Sequence, residues 1–498
     1  MLLLMMPHTL LDLQAITRRS FLGGVGRGVG VGLGSIALMS MLAESAEALT
    51  KTSENPLAPK PPHFRARAKS IISIHLAGAP SQHELFENKP ALTKYNGKPC
   101  PDEYLKGEQF AFIKGHPTLL GCQYPFQKFG GAGVEMSSLL PHLSTVADEL
   151  CLLKAVKTDQ FNHAPAQLLL WTGDPRFGHA SMGSWLLYGL GSEAKDLPGF
   201  VTLVSGDKTP DAGKSVWGSG FLPTVFQGVQ CRSSGEPVLY VQDPPGVDRA
   251  ARRRILDAVN DLNRIEAARS NDSETLTRIA QYELAFRMQM SVPEAMNISN
   301  ETEDTLNLYG ATPPKAGGQG SLANNCLLAR RLVERGVRFV QLFDWGWDGH
   351  GTGASDDLIT QLPKKCLEMD RPVTALILDL KRRGMLDDTL VIWGGEFGRT
   401  PVAEYRDGKK DFLGRDHHPH AFTMFLAGGG SKRGLSYGET DELGYFATKD
   451  SLPVQDLQAT ILALMGMDHE RLTFAHAGLN HRLTGVAKPV RVHDALIS

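Results

Sequence analysis

The feature that most constrains the fold is an order of helix, glycine and fully apolar strand that occurs twice in the second half of the chain. A helical pattern over residues 322–335 leads through a glycine into the apolar run 337–343, and a second over 370–383 leads through a glycine into 389–393. Strands that are apolar on both sides are typical of parallel sheets whose two faces are covered by helices. We therefore predict an α/β fold with a mostly parallel central sheet and helices on both faces.

Further apolar runs extend this pattern through most of the chain. Short strands are predicted at residues 71–77, 150–156, 200–204 and 422–427. The helical spacing of apolar residues predicts helices at 136–150, 164–171, 182–190 and 454–465, and two helices within 249–290 that break near residues 270–273. A stretch rich in Gly, Pro and Ser at 210–248 separates the two halves, and we interpret about residues 205–315 as an insertion into one large domain.

The first 48 residues carry the parts of an export signal in order. The pair Arg18-Arg19 is followed by a weakly apolar, glycine-rich stretch and then by the small-residue site Ala46-Glu47-Ala48. This order is typical of twin-arginine signals, so we expect the twin-arginine export machinery as a partner and a periplasmic or secreted location. Residues 49–68 are rich in Pro and Lys and are predicted to be a linker, and residues 69–498 are predicted to form the folded domain.

Charge and hydropathy argue against two classes of partner. The chain has 52 Lys and Arg against 54 Asp and Glu, which gives a net charge of −2. Proteins that bind nucleic acid usually carry an excess of basic residues, so no nucleic acid is expected. Arg27 and the glycines make the signal a poor permanent membrane span, and no other segment approaches the roughly 18 apolar residues that a span needs. Retention of the signal as an uncleaved anchor stays open.

The six cysteines are spread along the chain without a CxxC pair, which argues against a zinc ribbon or a thioredoxin-like site. Cys151 stands in an apolar strand and Cys326 and Cys366 stand in helices, where cysteine is usually a small buried residue. Cys100 and Cys122 flank a loop-rich segment and are either buried thiols or a disulfide formed outside the cytoplasm.

Polar side chains follow several predicted strands at the point where each strand ends. The run 337–343 is followed by Asp348 and His350, the run 389–393 is followed by Glu396, and His417 stands shortly before the run 422–427. Because the carboxyl ends of parallel strands meet at one edge of a sheet, we expect these side chains to lie close together. Asp348 and His350 point to the same side of an extended segment. We predict that all four bind a divalent metal ion, namely zinc, manganese or calcium.

Two alternatives remain open for the neighbouring residues. Arg399 and Arg415 either hold a phosphate or sulfate oxygen bidentately or neutralise Glu396 and Asp416 in a polar cluster without metal. The triple glycine at 428–430 is either a phosphate-binding loop or a turn after a strand, and the turn is the commoner use.

Four motifs resemble those of an exported bacterial family called domain of unknown function 1501. They are AGAPSQ at residues 77–82, WDGHG at 347–351, WGGEFGRTP at 393–401 and GRDH at 414–417. Residues 421–430, 438–445 and 456–460 also fit the family pattern, and the resemblance runs from about residue 68 to residue 485. That family is similar in core fold to alkaline phosphatases and sulfatases, so the resemblance implies an alkaline-phosphatase-like fold.

The resemblance to this superfamily also implies one or two divalent metals at the strand ends. Asp348 and His350 fall where the superfamily supplies a first Asp/His group of ligands. Glu396 falls where a later strand supplies an Asp-His pair, with Phe397 in the place of the histidine. His417 corresponds to the last metal-binding histidine.

The first strand departs from the superfamily pattern. It should end with a metal-binding Asp, but here it is followed by Ala, Pro and Ser81. Either Ser81 or Glu84 substitutes for that residue. Ser81 and Gln82, together with Arg415, are our candidates for substrate binding.

The nucleophile position departs as well. The superfamily places a Ser, Thr or modified Cys at the start of the helix after the second strand, and here Asn162 and His163 stand there. These two residues and Arg399 are our catalytic candidates. Histidine can form covalent phosphoryl intermediates, but His163 equally fits a metal ligand or a contact to bound substrate.

Two functions follow from these observations. The first is an exported, metal-dependent hydrolase that acts on a phosphate or sulfate ester of a small molecule or glycan. The alternative is a non-catalytic protein on the same scaffold that binds glycans or surface polymers. In the alternative, Trp345 and Trp347 stack on sugars, unless they are buried under the sheet. Metal content separates the two functions, because only the hydrolase requires an ion.

Overall fold

The computed structural model describes residues 55–206, 208–233, 237–238, 247–270, 273–313, 320–405, 411–486 and 489–498. The predicted export signal and residues 49–54 of the predicted linker lie outside the described residues. The fold is carried by the unit Asn55–Ser498.

The strands of the described chain are mostly short, and their bounds in chain order are β1 (Ser70–Leu76), β2 (Phe126–Phe129), β3 (Val134–Ser137), β4 (Leu150–Lys157), β5 (Phe200–Val204), β6 (Val229–Cys231), β7 (Phe339–Asp344), β8 (Thr389–Gly394), β9 (Gly398–Arg399), β10 (His417–His418), β11 (Phe422–Ala427), β12 (Leu435–Tyr437), β13 (Glu439–Thr440), β14 (Ala447–Lys449), β15 (Leu452–Pro453), β16 (Phe474–His476) and β17 (Leu479–His481). The six strands that the sequence predicts are all present, within three residues of the predicted ends.

Nine of these strands form one central sheet in the order β12-β4-β11-β8-β1-β7-β5-β6, with β15 paired to β4. The centre of the sheet is parallel: β1 pairs with β7 and β8, and β5 pairs with β7 and β6. The prediction of a mostly parallel α/β sheet is confirmed.

Strand β11 is the exception to the parallel order. It runs antiparallel to both of its neighbours, β4 and β8. Its amino end, rather than its carboxyl end, therefore lies at the edge where β4 and β8 end. For this reason the segment that precedes β11, and not the one that follows it, reaches the candidate site.

The helices bracket the sheet strands, and their bounds are α1 (Gln82–Leu85), α2 (Pro90–Lys94), α3 (His163–Thr172), α4 (Met182–Leu190), α5 (Arg249–Ser270), α6 (Ser273–Met296), α7 (Glu303–Tyr309), α8 (Leu322–Glu334), α9 (Gln361–Arg382) and α10 (Val454–Leu464). Short 3₁₀ turns lie at Asp102–Tyr104, Leu143–Glu149, Gly213–Trp217, Thr224–Phe226, Ile298–Asn300, Leu386–Asp388 and Asp494–Leu496.

Alternate residues of the central strands pack against opposite layers of helices. On β1, Ile72 and Ile74 belong to the core shared with α8 and α9, whereas Ile71 belongs to the core shared with α3, α4 and α10. Val391 and Ile392 of β8 divide in the same way. Because successive side chains of a strand point to opposite faces, strands that are apolar throughout require a helix layer on each side.

The predicted helix at 136–150 is wrong. Residues 134–137 form β3, which pairs with β2, and residues 143–149 form only a 3₁₀ turn. Pro141 stands between the two pieces, where its ring and missing N–H break a helix. The carboxylate of Asp370 on α9 then accepts hydrogen bonds from the backbone N–H groups of His142 and Leu143, both at 2.7 Å.

The segment between β5 and α8, where the sequence predicts an insertion, contains the long helices α5 and α6. It also contributes β6 to the edge of the central sheet. Residues 55–68 belong to the predicted linker. Their backbone is tied to the domain, for example by Lys60 N–H donating to Leu190 O and by Arg67 N–H donating to Leu464 O.

The six cysteines are free thiols, and five of them are buried, so the Cys100–Cys122 disulfide is not formed. Burial raises the pKa of the Cys100 thiol to about 11, which keeps it protonated. None of the helices in the described part of the chain combines the length and the apolar character needed to cross a bilayer.

Candidate functional site

Parallel strand ends and one antiparallel ribbon bring the candidate residues together at a single edge of the sheet. His163 begins α3 after β4, Asp348 follows β7, and Glu396 follows β8. The ribbon β9–β10 adds Arg399 and His417, which stand directly opposite each other in its register. Directly opposed residues of an antiparallel pair share one face, so both side chains reach the same space.

Two glycines allow the loops to approach this closely. Gly78 has a φ of +104°, and a Cβ atom there would lie 2.5 Å from the backbone N of Asp348. A Cβ atom on Gly414 would lie 1.9 Å from the carbonyl carbon of His350. Any side chain at either position would therefore push apart the segments that carry the candidate ligands.

Three imidazoles converge on the carboxylate of Asp348. The Nε2 atoms of His350 and His417 lie 2.8 Å and 3.3 Å from Asp348 Oδ1 and 3.1 Å from each other. On the other oxygen, Asp348 Oδ2, the Nε2 atom of His163 lies at 3.4 Å. His350 and His417 thus approach each other closely, and His163 joins them.

The second nitrogen of each ring has its own acceptor. His163 Nδ1 lies 2.7 Å from Glu396 Oε1, and His350 Nδ1 lies 2.5 Å from Glu404 Oε2. His417 Nδ1 lies 2.7 Å from a backbone carbonyl, that of Phe161. A carbonyl oxygen only accepts, so Nδ1 of His417 donates and its Nε2 lone pair points into the cluster. This arrangement, with Nδ1–H held from behind and Nε2 free in front, is typical of histidines that bind metals.

The spacing of the ligand atoms suits a divalent ion. Around an ion with bonds of about 2.1 Å, neighbouring ligand atoms lie about 3.0 Å apart at octahedral angles and about 3.4 Å apart at tetrahedral angles. Four contacts among these residues, at 2.8 to 3.4 Å, fall close to that interval, and the ligand atoms of the whole group lie within 4.8 Å of one another. Two Nε2 lone pairs that face each other at 3.1 Å repel unless a proton or a cation lies between them. The donor set therefore fits a bound cation.

Glu396 takes a different place from the predicted one. It is fully buried behind His163, and its Oε1 atom accepts hydrogen bonds from the backbone N–H of Gly78 and the amide of Gln167, both at 3.1 Å. Its other oxygen lies 3.1 Å from Nε2 of the buried His75. Glu396 thus contacts Nδ1 of His163, and it falls in a different group of possible ligand residues from the one that contains Asp348, His350 and His417.

The charges around the cluster set the protonation state of each candidate ligand. Burial alone would lower the pKa of His163, but hydrogen bonds to Asp348 and Glu396 outweigh it and raise this pKa to about 9. Burial opposes ionisation of Asp348, yet Arg399 and the three imidazoles hold the pKa of that carboxyl far below its usual range. Burial lowers the pKa of His417 to about 4, so its ring is neutral at pH 7, as a metal ligand must be.

Arg399 is buried and its guanidinium is engaged within the protein. Nε donates to Ala79 O at 3.0 Å, Nη1 donates to Arg415 O at 3.0 Å, and Nη2 contacts both Gly78 O and the carboxylate of Asp348. This pattern differs from the bidentate grip on a phosphate or sulfate that the sequence suggested. Arg399 instead fixes Asp348 against the turn after β1, and it does not pair with Glu396.

Arg415 is also withdrawn from the site. Its Nη2 atom lies 2.6 Å from Glu84 Oε1, and further donors bond to backbone carbonyls, so Arg415 pairs with Glu84 and not with Asp416. Ser81 donates its hydroxyl to the same Glu84. Gln82 bonds both ends of its amide to the backbone of Arg399, at 2.8 Å each. The three substrate-binding candidates thus act as buried supports, because their polar atoms are already bonded within the protein.

Aromatic rings enclose the cluster, and its open side lies near Asn162. The Phe397 ring packs on His163 and His417, with centroids at 5.0 Å and 4.5 Å. The edge of Phe112 meets His350 at 4.8 Å. Asn162 is exposed next to His163, and it precedes the first turn of α3 without a capping hydrogen bond from its side chain.

Other candidates fall outside the cluster. His418 and His420 turn away to Tyr445 O and Glu108, so only one histidine of that group reaches the site. The glycines at 428–430 have positive φ and pack against residues near the start of β8, which fits the turn and not the phosphate loop. Trp347 is buried, and its Nε1 donates to Asp344 at 2.9 Å.

A sequence-family model described as "Protein of unknown function (DUF1501)" matches residues 68–496. The chain belongs to this family. The match covers most of the chain and confirms the resemblance seen in the four motifs. None of the curated proteins compared with this DUF1501 chain matches it.

The DUF1501 chain is also similar to several solved structures at low identity. It is 11% identical to the lipoteichoic acid synthase LtaP from Listeria monocytogenes, covering 89% of this chain and 80% of that one, with a TM-score of 0.33. It is 10% identical to a protein in the alkaline phosphatase superfamily from Vibrio parahaemolyticus, covering 83% of this chain and 70% of that one, with a TM-score of 0.35. It is 14% identical to the PsFucS1 sulfatase from Pseudoalteromonas sp., covering 81% of this chain and 69% of that one, with a TM-score of 0.34. At such TM-scores these likenesses carry no argument about ligand or activity.

Several residues of this DUF1501 site are not predicted by the sequence. Glu404, Gln167 and Asp211 stand in segments without a local signal, and only the fold brings them near the cluster. Asp211 lies with His163 and Glu396 in a group whose ligand atoms are within 4.8 Å of one another. His75 did leave a signal, because a histidine inside an otherwise apolar strand requires a buried polar partner.

Proposed function

We propose that this protein is an exported, metal-dependent hydrolase of phosphate or sulfate esters. In this proposal the ion is held by Asp348, His163, His350 and His417. The observation that carries it is the convergence of three Nε2 atoms on one carboxylate while each Nδ1 is held from behind.

The donor set narrows the identity of the ion. Three imidazoles and one carboxylate suit zinc or manganese, whereas calcium prefers ligands that are all oxygen. Zinc or manganese is therefore the proposed ion, and calcium is not.

A bound ion would polarise an ester oxygen and lower the pKa of a water molecule, which is the chemistry that ester hydrolysis needs. Asp348 offers the entry, because 36% of its side chain is exposed whereas the His350 and His417 side chains are nearly buried. The first turn of α3 has no side-chain capping bond, and in this proposal its amino end helps to hold the anionic ester group.

Water is the proposed nucleophile. The hydroxyl of Ser81 is bonded to Glu84 and buried, and the nucleophile position of related enzymes holds Asn162 and His163. In this proposal Asn162 contacts the substrate at the mouth of the site, and His163 positions the ion.

Metal content tests the ion site. The purified folded protein is expected to hold close to one zinc or manganese per chain, measured by inductively coupled plasma mass spectrometry. His350→Ala should lose the ion and keep the circular dichroism spectrum, because one ligand and its bond to Glu404 are removed from the edge of the sheet. The control is His142→Ala, at an exposed histidine outside the cluster. An equal metal content in wild type and His350→Ala would reject the site.

Activity is tested separately. The metal-loaded protein is assayed on 4-nitrophenyl phosphate, 4-nitrophenyl sulfate and bis(4-nitrophenyl) phosphate, and His350→Ala should lose hydrolysis of whichever ester is a substrate. Loss by at least about a hundredfold is expected, because the electrostatic stabilisation of the transition state is removed. A protein that holds the ion but hydrolyses no ester in a wider panel would favour the binding function.

Export is the remaining part of the proposal and rests on the sequence alone. Replacing Arg18 and Arg19 with Lys should retain the protein in the cytoplasm, because lysine lacks the planar guanidinium groups of the pair. Cell fractionation and immunoblotting measure the outcome. Undiminished arrival of the double variant in the periplasm would reject this route.

A further inference from the structure

An open cavity is lined by the carboxyl end of helix α3 and by the loop after β4. Its volume is about 570 Å³, within the range of about 300–1,000 Å³ that is usual for ligand sites. It extends from the loop after β4 past the carboxyl end of α3 to the hairpin β16–β17. We call it the α3 groove and define it by six of its lining residues: Thr158, Gln160, Thr172, His179, Asn480 and His481.

The α3 groove is joined to the cluster by one stretch of chain. Thr158 and Gln160 line the groove, and the next residues along the loop are Phe161, whose carbonyl holds His417, and His163. Helix α3 has ten residues and is therefore about 15 Å long. Its amino end stands at the cluster, and its carboxyl end lines the groove. The loop after β4 therefore connects the groove to the cluster through Phe161 and His163.

The lining offers neutral hydrogen-bonding groups and an aromatic end wall. Hydroxyls and amides come from Thr158, Gln160 and Asn480. At the far end the wall consists of the imidazole rings of His179 and His481. Both rings pack on Phe221, with centroids at 5.8 Å and 4.5 Å, although Phe221 does not itself line the groove. Groups of this kind match a ligand that carries many hydroxyls as well as apolar C–H faces.

Charges along the α3 groove are largely paired within the protein. Asp174 bonds to Arg176 at 2.8 Å, and Asp456 lies 2.9 Å from His493 Nε2. The exposed Leu479 adds an apolar surface at the rim. The groove therefore offers little net charge to attract a strongly charged polymer. A chain that carries many hydroxyl groups can bind without such charge.

We propose that the α3 groove binds the oligosaccharide part of a glycan ester and presents its ester group to the cluster. This inference rests on the proposed hydrolase function and names its substrate class. The groove supplies affinity for the sugar units next to the ester, and the metal site acts on the ester itself.

Binding of oligosaccharides by the full chain tests the proposal. Wild type is applied to an array of neutral and sulfated oligosaccharides of at least four units, and the best binder is titrated by calorimetry. Asn480→Ala and His481→Ala are each expected to weaken this binding about 3- to 10-fold, the loss of roughly one hydrogen bond or ring contact. Asn300→Ala, at an exposed asparagine outside the groove, is the matched control and should bind as wild type does.

The outcomes separate the α3 groove from the hydrolase proposal. Binding that is weakened by both groove variants, with His350→Ala still binding the unesterified sugar, supports the groove even if no aryl ester is hydrolysed. Binding that the groove variants leave unchanged overturns it. Hydrolysis of aryl esters by a wild type that binds no oligosaccharide at millimolar concentration also overturns the groove and leaves the hydrolase function standing.

Discussion

Loading of the cluster with Zn²⁺ is expected to release one proton, and His163 is its source. In the metal-free protein His163 bonds Glu396 through Nδ1 and lies against Asp348 through Nε2. The two carboxylates outweigh burial and raise the pKa of this imidazole to about 9. The ion requires the Nε2 lone pair, so the proton on Nε2 must leave when the ion binds.

The size of the effect follows from that pKa. At pH 7.5 a group with a pKa of about 9 is almost fully protonated, and the proton weakens the apparent affinity for Zn²⁺ about 30-fold, or about 2 kcal/mol. Because the raised pKa keeps the proton on His163 below about pH 9, the apparent affinity for Zn²⁺ increases with pH. We expect a tenfold gain per pH unit from about pH 7 to pH 9 and a plateau above it.

Titration calorimetry in buffers of different ionisation enthalpy measures the released protons directly. About one proton per Zn²⁺ is expected from wild type at pH 7.5. Glu396→Gln keeps the shape of the side chain and removes one of the two charges that hold the proton, so its affinity should depend less steeply on pH. Zinc binding without proton release, or an identical pH profile in the variant, would refute the assignment of His163 as a ligand held by Glu396.

Three further predictions concern the supports of the site. Glu404→Gln exchanges the charged partner of His350 for a neutral one and should weaken zinc binding about tenfold, measured by competition with a chelator. Glu84→Gln leaves the buried charge of Arg415 without its partner and should lower the free energy of unfolding by about 3 kcal/mol in urea titrations; an unchanged midpoint would contradict this pairing. Gly414→Ala should reduce zinc binding while the helical signal in circular dichroism persists, because a Cβ atom there meets the backbone of the ligand loop at 1.9 Å.

Local patterns in the sequence were enough for much of the fold. The strand at 337–343 appears as β7 and the strand at 389–393 as β8, because a run that is apolar on every residue can be satisfied only between two helix layers. The helix prediction at 136–150 failed because apolar spacing was given more weight than Pro141. The direction of β11 was not predictable from its own residues, since an apolar strand has the same composition in either direction.

The sequence by itself also determined which loops carry the chemistry. Asp348 and His350 share one side of an extended segment after a strand, and parallel strand ends meet at one edge, so the place of these two residues followed from local rules. His417 reaches the same edge only because β11 runs antiparallel to its neighbours. The family motifs lie in these same loops, and the family assignment therefore needed no coordinates.

Only the tertiary structure decided the role of each side chain within the site. His163 and Glu396 are 233 residues apart, and their contact places the histidine beside Asp348 and the glutamate behind it. Arg415 is paired with Glu84, 331 residues away, although Asp416 is its neighbour in sequence. The physical reason is that a buried polar side chain must form hydrogen bonds, so its role depends on which partner it bonds. That partner is set by the packing of distant segments, which neither periodicity nor motif spacing records.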